Sequence, residues 1–185
     1  MTQDIQEQLR APFEDADLPE NAFGLIYAAT AFHWVNPDIG CPMALRLLRP
    51  GGALAIFRYT ALPGSDERYE DIQAVYDKYY HQPNVRPIRL SDAEYGSRPE
   101  LVKAHGVGDL ESYGFTDVTV KHYTKVKTFT VDEYMSLLDT FPDHKSLSDS
   151  DRANLYAGVR AVIERHGGQH KVEYLFRLYL GRKPQ

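Results

Sequence analysis

The stretch FGLIYAATAFHWVNPD, residues 23–38, decides the fold of this 185-residue chain. It opens as a nearly uncharged apolar run over residues 23–32, a pattern typical of a strand buried on both faces in a parallel sheet. It then reaches His33 and Trp34, the only tryptophan of the chain. Because ligands of parallel sheets bind beyond the carboxyl ends of the strands, this order predicts that the two side chains border a binding crevice.

The residues that follow predict a crossover helix and a second strand. Asn36 can cap a helix, with Pro37 at its first position and Asp38 near the positive end of its dipole. Pro50 should end that helix, and Gly51-Gly52 should turn the chain sharply into the continuous apolar strand 53–60. The pattern predicts a βαβ unit with two parallel strands.

Helical patterns return further along the chain. Ser65 is the predicted cap of a helix over the segment SDERYEDIQAVYDKYY, and a later short helical segment should end at Gly114. Thr130 and Glu133 have the spacing of a capping box ahead of a third helix. A last helix is predicted from about Ser150, with one buried face made of Leu155, Val159, Val162 and Ile163.

Two segments alternate with a period of two residues, which indicates strands with one exposed face. In residues 116–126 the common face carries Val118, Val120 and Val126. In residues 172–183 it carries Val172, Tyr174, Phe176, Leu178 and Leu180. These two strands could pair as antiparallel neighbours at a sheet edge.

Composition limits the class of protein. With 43% hydrophobic residues the chain can form one core, and its length predicts a single domain over residues 1–185. A net charge of -5 predicts no nucleic-acid partner, and the basic segment KHYTKVK at 121–127 is interpreted as a solvated strand face. Cys41 stands alone, so no disulfide can form within the chain. No apolar run reaches the ~18 residues of a membrane span, and we expect a cytoplasmic protein without a membrane partner.

Three segments in this order resemble the second half of a class I S-adenosylmethionine-dependent methyltransferase: FEDADLPENAFGLIYAATAFHWVNPD, ALRLLRPGGALAIF and YGFTDVTV. The most similar group is the small-molecule, type 11-like methyltransferases. The resemblance runs from about residue 12 to the C-terminus. It implies an α/β fold with a Rossmann-like sheet whose last strand is antiparallel and lies beside the fifth.

The resemblance also implies parts that this sequence lacks. In that family a glycine-rich loop after the first strand and an acidic residue after the second strand hold the cofactor. Only a short polar stretch precedes Pro12, and GVGD at 106–109 follows no strand. We therefore expect an incomplete methyltransferase domain from which the N-terminal βα units are missing.

The resemblance assigns roles to residues at the ends of the strands. The cofactor is S-adenosylmethionine, with Phe13 and Glu14 near its adenine and small residues beside its methionine end. The acceptor is a small molecule. The expected cofactor residues are Phe13, Glu14, Ala29, Thr30 and Ala31; the expected substrate residues are His33, Trp34 and Tyr59, with His33 also the catalytic candidate.

Each of these residues has a plainer interpretation. His33 could be a hydrogen-bonded structural residue, Trp34 a packing residue that closes the pocket floor, and Glu14 a solvated loop acid. His166 and His170 have the i,i+4 spacing of metal ligands, but Gly167-Gly168 should break the helix between them. We expect no metal site.

Three functions remain open from the sequence. The first is methyl transfer from S-adenosylmethionine to a small-molecule acceptor, with a carboxylate oxygen as the candidate atom. The second is a non-catalytic module of methyltransferase descent that completes its sheet with another chain. The third is an unrelated α/β protein. Because residues 23–32 would have an open edge, we expect a homodimer through that edge, coverage by residues 1–20, or marginal solubility.

Overall fold

The computed structural model describes residues 11–80 and 110–185 of the chain. The predicted polar stretch 81–99 and the GVGD segment lie outside these ranges. The helices are α1 (Pro37–Leu47), α2 (Glu67–Tyr79), α3 (Val131–Leu138), α4 (Pro142–Lys145) and α5 (Asp149–Arg165), and the strands are β1 (Phe23–Ala29), β2 (Leu48–Ala61), β3 (Thr116–Thr130) and β4 (Gln169–Arg182). Within the described ranges, no helix is long and apolar enough to cross a bilayer.

The four strands form one mixed sheet in the order β1-β2-β4-β3. β1 and β2 are parallel, in a register that runs from Leu25 opposite Ala53 to Ala29 opposite Phe57. β4 runs antiparallel to β2, because Lys183 N–H donates to Gly52 O at 2.8 Å near one end and Leu62 N–H donates to Glu173 O at 2.8 Å near the other. The predicted α/β fold with an antiparallel last strand beside β2 is confirmed.

The crossover helix begins as predicted but ends differently. The Asn36 side chain accepts from Asp38 N–H at 3.0 Å, with Pro37 at the first helical position. The predicted sharp turn at residues 49–52 is wrong, since β2 starts at Leu48, directly after α1. Gly51 takes a φ of 73°, and its N–H donates to Lys183 O at 3.0 Å, which keeps this segment paired with the far end of the chain.

The prediction that the first strand is buried on both faces is wrong. Leu25 and Tyr27 on β1 are 55% and 68% exposed, whereas Ile26 and Ala28 pack against the core. Among the described residues β1 is an outer strand that pairs only with β2, and its second face meets no covering helix. β2 is the strand that is buried on both faces, over residues 52–56.

The buried faces predicted for β3 and β4 from their period of two residues are also wrong. β3 is the other outer strand of the described sheet, and Val120 and Val126 are 46% and 58% exposed on it, so the predicted valine face is not buried there. Along β4 the buried positions change parity, because both faces of this inner strand meet covering groups. The buried side chains of β4 are His170, Val172, Leu175, Arg177 and Tyr179.

The described residues divide into two compact units, each with its own core. Unit 1 comprises residues 11–59, 110–122 and 176–185, with a core that includes Phe32, Leu54, Ile56, Phe115 and Tyr179. Unit 2 comprises residues 60–80 and 123–175, with a core that includes Ile72, Leu138, Leu155, Val159 and Ile163. The single domain expected from chain length stays a prediction.

Helix capping follows the sequence at one site and departs from it at another. The predicted capping box is present: Thr130 N–H donates to Glu133 Oε2 at 2.8 Å, and Glu133 N–H donates to Thr130 Oγ1 at 3.3 Å. Ser65 does not cap α2. Asp66 does so instead, because its Oδ1 accepts from Tyr69 N–H at 2.9 Å.

Replacement of Asp66 by Ala should therefore lower the free energy of unfolding by about 1 kcal/mol, the usual cost of losing an N-cap. The matched variant Ser65→Ala should change it by less than ~0.5 kcal/mol. Urea denaturation followed by circular dichroism measures both. Equal losses in the two variants would contradict the assignment of the cap.

Candidate functional site

The turn after β1 begins with an unusual backbone conformation. Thr30 has a φ of 53°, which is rare for a β-branched residue, and its N–H donates to Phe57 O at 2.9 Å. A 3-10 turn over Phe32–Trp34 follows, in which Trp34 N–H donates to Ala31 O at 3.0 Å. The strand thus turns back sharply at its carboxyl end, where the parallel-sheet rule places a binding crevice.

A cavity of about 270 Å³ lies at this turn, within unit 1. We call it the strand-end cavity. Of the residues predicted to bind the cofactor, Phe13, Ala29 and Ala31 line it, and Glu14 and Thr30 do not. Its wall is completed by Ile26, Tyr27, Ala28, Phe32 and Val35.

The shape of the cavity depends on the close approach of α1. Phe32 is 4% exposed and belongs to the core of unit 1. A Cβ atom added at Gly40 would overlap Cγ1 of Val35 and approach Phe32 to 3.4 Å. Glycine at position 40 therefore lets the first turn of α1 press these two cavity side chains into place.

Glu14 has a structural partner that sequence reasoning did not find. Its Oε1 accepts a hydrogen bond from Asn36 N–H at 3.0 Å, at the residue that caps α1. This bond ties the short turn over Phe13–Asp15 to the start of the helix. Glu14 thus helps to hold the neighbouring Phe13 beside the cavity.

His33 and Trp34 lie at the carboxyl end of β1 but outside the lining of the cavity. Their ring centroids are 4.8 Å apart with an interplanar angle of 42°, and Trp34 is 79% exposed. Partial burial, together with the Arg58 guanidinium, holds the pKa of His33 below the usual 6.5. The imidazole is therefore neutral at neutral pH, in the form that can accept a proton.

Tyr59, the third predicted substrate residue, lies on β2 and is 42% exposed. Its ring packs against Phe176, with centroids 5.9 Å apart. It does not line the strand-end cavity. The structure therefore brings Phe13, Ala29 and Ala31 together and leaves Tyr59 on a separate stretch of strand surface.

The two histidines with metal-ligand spacing serve other contacts. His166 Nε2 lies 2.9 Å from Asp71 Oδ2, whereas His170 is 6% exposed and packs edge-on against Tyr134. The described ranges contain no group of three or more side chains that could hold a metal ion.

Sequence reasoning missed the apolar part of the cavity wall. Ile26 and Ala28 are on the inward face of β1, and no signal in the sequence identifies them, because Leu25 and Tyr27 on the exposed face are apolar as well. Val35 and Phe32 flank the His-Trp pair, and their apolar character next to a helix cap could have indicated an inward-facing loop.

The segment that forms this cavity is similar to known proteins. Residues 2–56 match the sequence model of the family described as Methyltransferase domain. The resemblance stated from the sequence is confirmed for this segment. A Dictyostelium discoideum protein named "Putative methyltransferase" is 33% identical over 81 residues, which cover 44% of this chain and 30% of that protein. The match thus spans less than a third of the relative's length.

The fold is shared with a solved structure. A "Putative Type II Methyltransferase" from Anaeromyxobacter dehalogenans aligns over 95% of this chain and 71% of its own, with 21% identity and a TM-score of 0.56. Phosphoethanolamine N-methyltransferase 2 from Haemonchus contortus, solved with S-adenosyl-L-methionine, aligns over 94% of this chain and 36% of its own, with 15% identity and a TM-score of 0.38.

The electrostatic influence of Arg58 on His33 can be measured directly. Replacement of Arg58 by Gln should raise the pKa of His33 toward 6.5, because a neighbouring cation that disfavours the imidazolium is removed. The pKa should not recover fully, since partial burial is the larger cause. Titration of the imidazole Cε1 proton by NMR gives the value.

The matched control for this titration is Arg46→Gln. Arg46 pairs with Glu20 in the same unit, at 3.3 Å. An unchanged pKa of His33 in Arg58→Gln, or an equal rise in Arg46→Gln, would contradict the assignment.

Proposed function

We propose that this chain forms part of an S-adenosylmethionine-dependent methyltransferase that acts on a small-molecule acceptor, at a carboxylate oxygen. The observation that carries the proposal is the strand-end cavity. It lies within the segment that matches the methyltransferase family, and three of the five predicted cofactor residues line it.

The cavity fits the apolar parts of the cofactor. Seven of its side chains are hydrocarbon and the eighth is Tyr27. The methyl groups of Ala29 and Ala31 leave room for a ring or a thioether to approach the backbone, and Phe13 offers an aromatic face. The ribose hydroxyls and the amino-acid end of the cofactor need polar partners beyond these residues. When bound, S-adenosylmethionine supplies an activated methyl group.

The contribution of the protein is then positioning and exclusion of water. A carboxylate is already ionised at neutral pH, so His33 has no proton to remove from it. The neutral imidazole instead donates its N–H to the carboxylate and orients it. The exposed face of Trp34, beside His33, can cover the acceptor and attract a neighbouring cation by ~0.5–2 kcal/mol.

Calorimetric titration with S-adenosylhomocysteine tests the cofactor assignment. We expect the chain alone to bind it weakly, because the cavity contacts only the apolar parts of the ligand. Ala29→Leu should weaken this binding by a further factor of roughly ten or more, because the larger side chain fills space that the ligand needs. Ala22→Leu adds the same carbons at an exposed position outside the cavity wall and should leave the affinity unchanged. Equal affinities for the two variants would remove the assignment.

A second candidate is a non-catalytic module that completes its sheet with another chain, including a second copy of this one. It is favoured by the outer edge of β1, where Leu25 and Tyr27 are exposed and no described residue pairs beyond the strand. Such an edge is a pairing site because its N–H and C=O groups need partners.

Light scattering after size-exclusion chromatography at micromolar concentration tests this edge. We expect a dimer, and we expect Tyr27→Lys to convert it to a monomer because a charge on the strand opposes pairing. The control Val120→Lys places the same charge on the other outer strand, where the side chain is 46% exposed. A monodisperse wild-type monomer would contradict the edge proposal.

A further inference from the structure

A second cavity, of about 360 Å³, lies wholly within unit 2. We call it the unit 2 cavity. It is formed by the end of β2 with the loop that follows, the start of α2, part of β3, α3 and the start of β4. Its volume falls in the range of small-molecule sites in proteins, which is roughly 300–1,000 Å³. Neither the resemblance nor the family match gives it a role.

Arg68, in the wall of this cavity, is held in place by two hydrogen bonds and has further N–H donors without a partner. Its Nη1 donates to Gln169 O at 3.0 Å and its Nη2 donates to Asp66 Oδ2 at 2.6 Å. Its Nε is buried without a hydrogen-bond partner. Because a guanidinium has five N–H donors, these two bonds leave most of its capacity for a ligand. The two bonds also hold the fork in one orientation, which lowers the entropy that binding would cost.

His170 adds a neutral polar group next to this cation. The residue is 6% exposed, its ring packs edge-on against Tyr134 with centroids 4.4 Å apart, and its Nδ1 has no hydrogen-bond partner. Burial, and secondarily the charge of Arg68, lower the pKa of His170 to about 4. The ring is therefore neutral at neutral pH and can donate one hydrogen bond without adding charge.

The cavity wall also has an apolar and aromatic part, and its charged side chains are equal in number of each sign. A surface suited to a hydrocarbon or aromatic body is formed by Leu62, Ile72, Val172 and the rings of Tyr69, Tyr76 and Tyr134. Two cations and two carboxylates line the cavity: Arg68, Lys171, Asp66 and Glu173. A dianion such as phosphate would be repelled by the two carboxylates of the wall. A ligand with a single carboxylate bound to Arg68 adds only one negative charge to the cavity, so this repulsion is smaller.

We propose that the unit 2 cavity is a binding site for a small organic monocarboxylate with an apolar body. The carboxylate binds the free donors of Arg68, and the body packs between the tyrosine rings and Ile72. The inference stands apart from the proposed methyl transfer, because binding at this site requires no cofactor.

Titration of the full chain with phenylacetate, monitored through backbone amides by NMR, tests the site. We expect shifts concentrated at residues 65–73 and 170–173, and much weaker shifts with phenylacetamide, which has the same shape without the charge. Absence of shifts with phenylacetate, shifts centred elsewhere, or equal binding of the amide would each overturn the proposal.

Variants locate the two halves of the ligand. Arg68→Gln should weaken phenylacetate binding by roughly tenfold or more, since the charge-assisted bonds are lost. Its control is Arg152→Gln. Arg152 pairs with Asp149 at 3.0 Å in the same unit and does not line the cavity, so this variant loses the same charge at another place. Equal weakening in these two variants would overturn the proposal, because it would indicate a general effect of charge.

A second pair of variants keeps the test valid should Arg68→Gln fail to fold. Val126 lines the cavity and is 58% exposed, so Val126→Phe should obstruct its mouth at little cost to stability and weaken binding. Val120→Phe makes the same change on the same strand outside the cavity and should leave binding unchanged. Unchanged binding in Val126→Phe would exclude this cavity as the site.

Discussion

The burial of β2 on both faces is the constraint on which the rest of the structure depends. Its residues 52–56 are shielded from solvent, so every backbone group there must find a partner within the sheet. β1 supplies a parallel ladder on one side and β4 an antiparallel one on the other. The hydrogen bonds between Lys183 and Gly51-Gly52 hold the C-terminal end of β4 against the first half of β2. β1 and β3 are therefore the outer strands of the described sheet, and both carry exposed apolar side chains.

The strand-end cavity is a consequence of that arrangement. Because β1 is parallel to β2, the carbonyl of Phe57 is available to fix Thr30, and the chain reverses immediately after the strand. The bond from Asn36 to Glu14 and the close approach of α1 at Gly40 then complete the wall. The same turn leaves His33 and Trp34 exposed at the carboxyl end of β1, outside the lining of the cavity.

Unit 2 differs from this segment in how it uses polar groups. The strand-end cavity is almost entirely apolar, whereas the wall of the unit 2 cavity includes a half-buried arginine and a buried histidine, each with one buried nitrogen that lacks a hydrogen-bond partner. Such groups are costly unless water or a ligand satisfies them, and native proteins rarely retain them without a role. No local pattern predicted this pairing, because Arg68 and Gln169, whose carbonyl oxygen accepts from it, are 101 positions apart in the chain and are brought together only by folding.

Local signals were enough to predict the crossover helix, the Thr130 capping box and the buried face of α5, because caps and helical periodicity act over three or four residues. The family resemblance predicted Phe13, Ala29 and Ala31, which the structure brings to one cavity. Only the tertiary structure decided that one face of β1 is exposed, that β4 changes its buried parity, and that Tyr59 lies apart from the cavity. The burial of a strand face depends on which distant segments cover it, and the alternation of side chains along a strand does not contain that information.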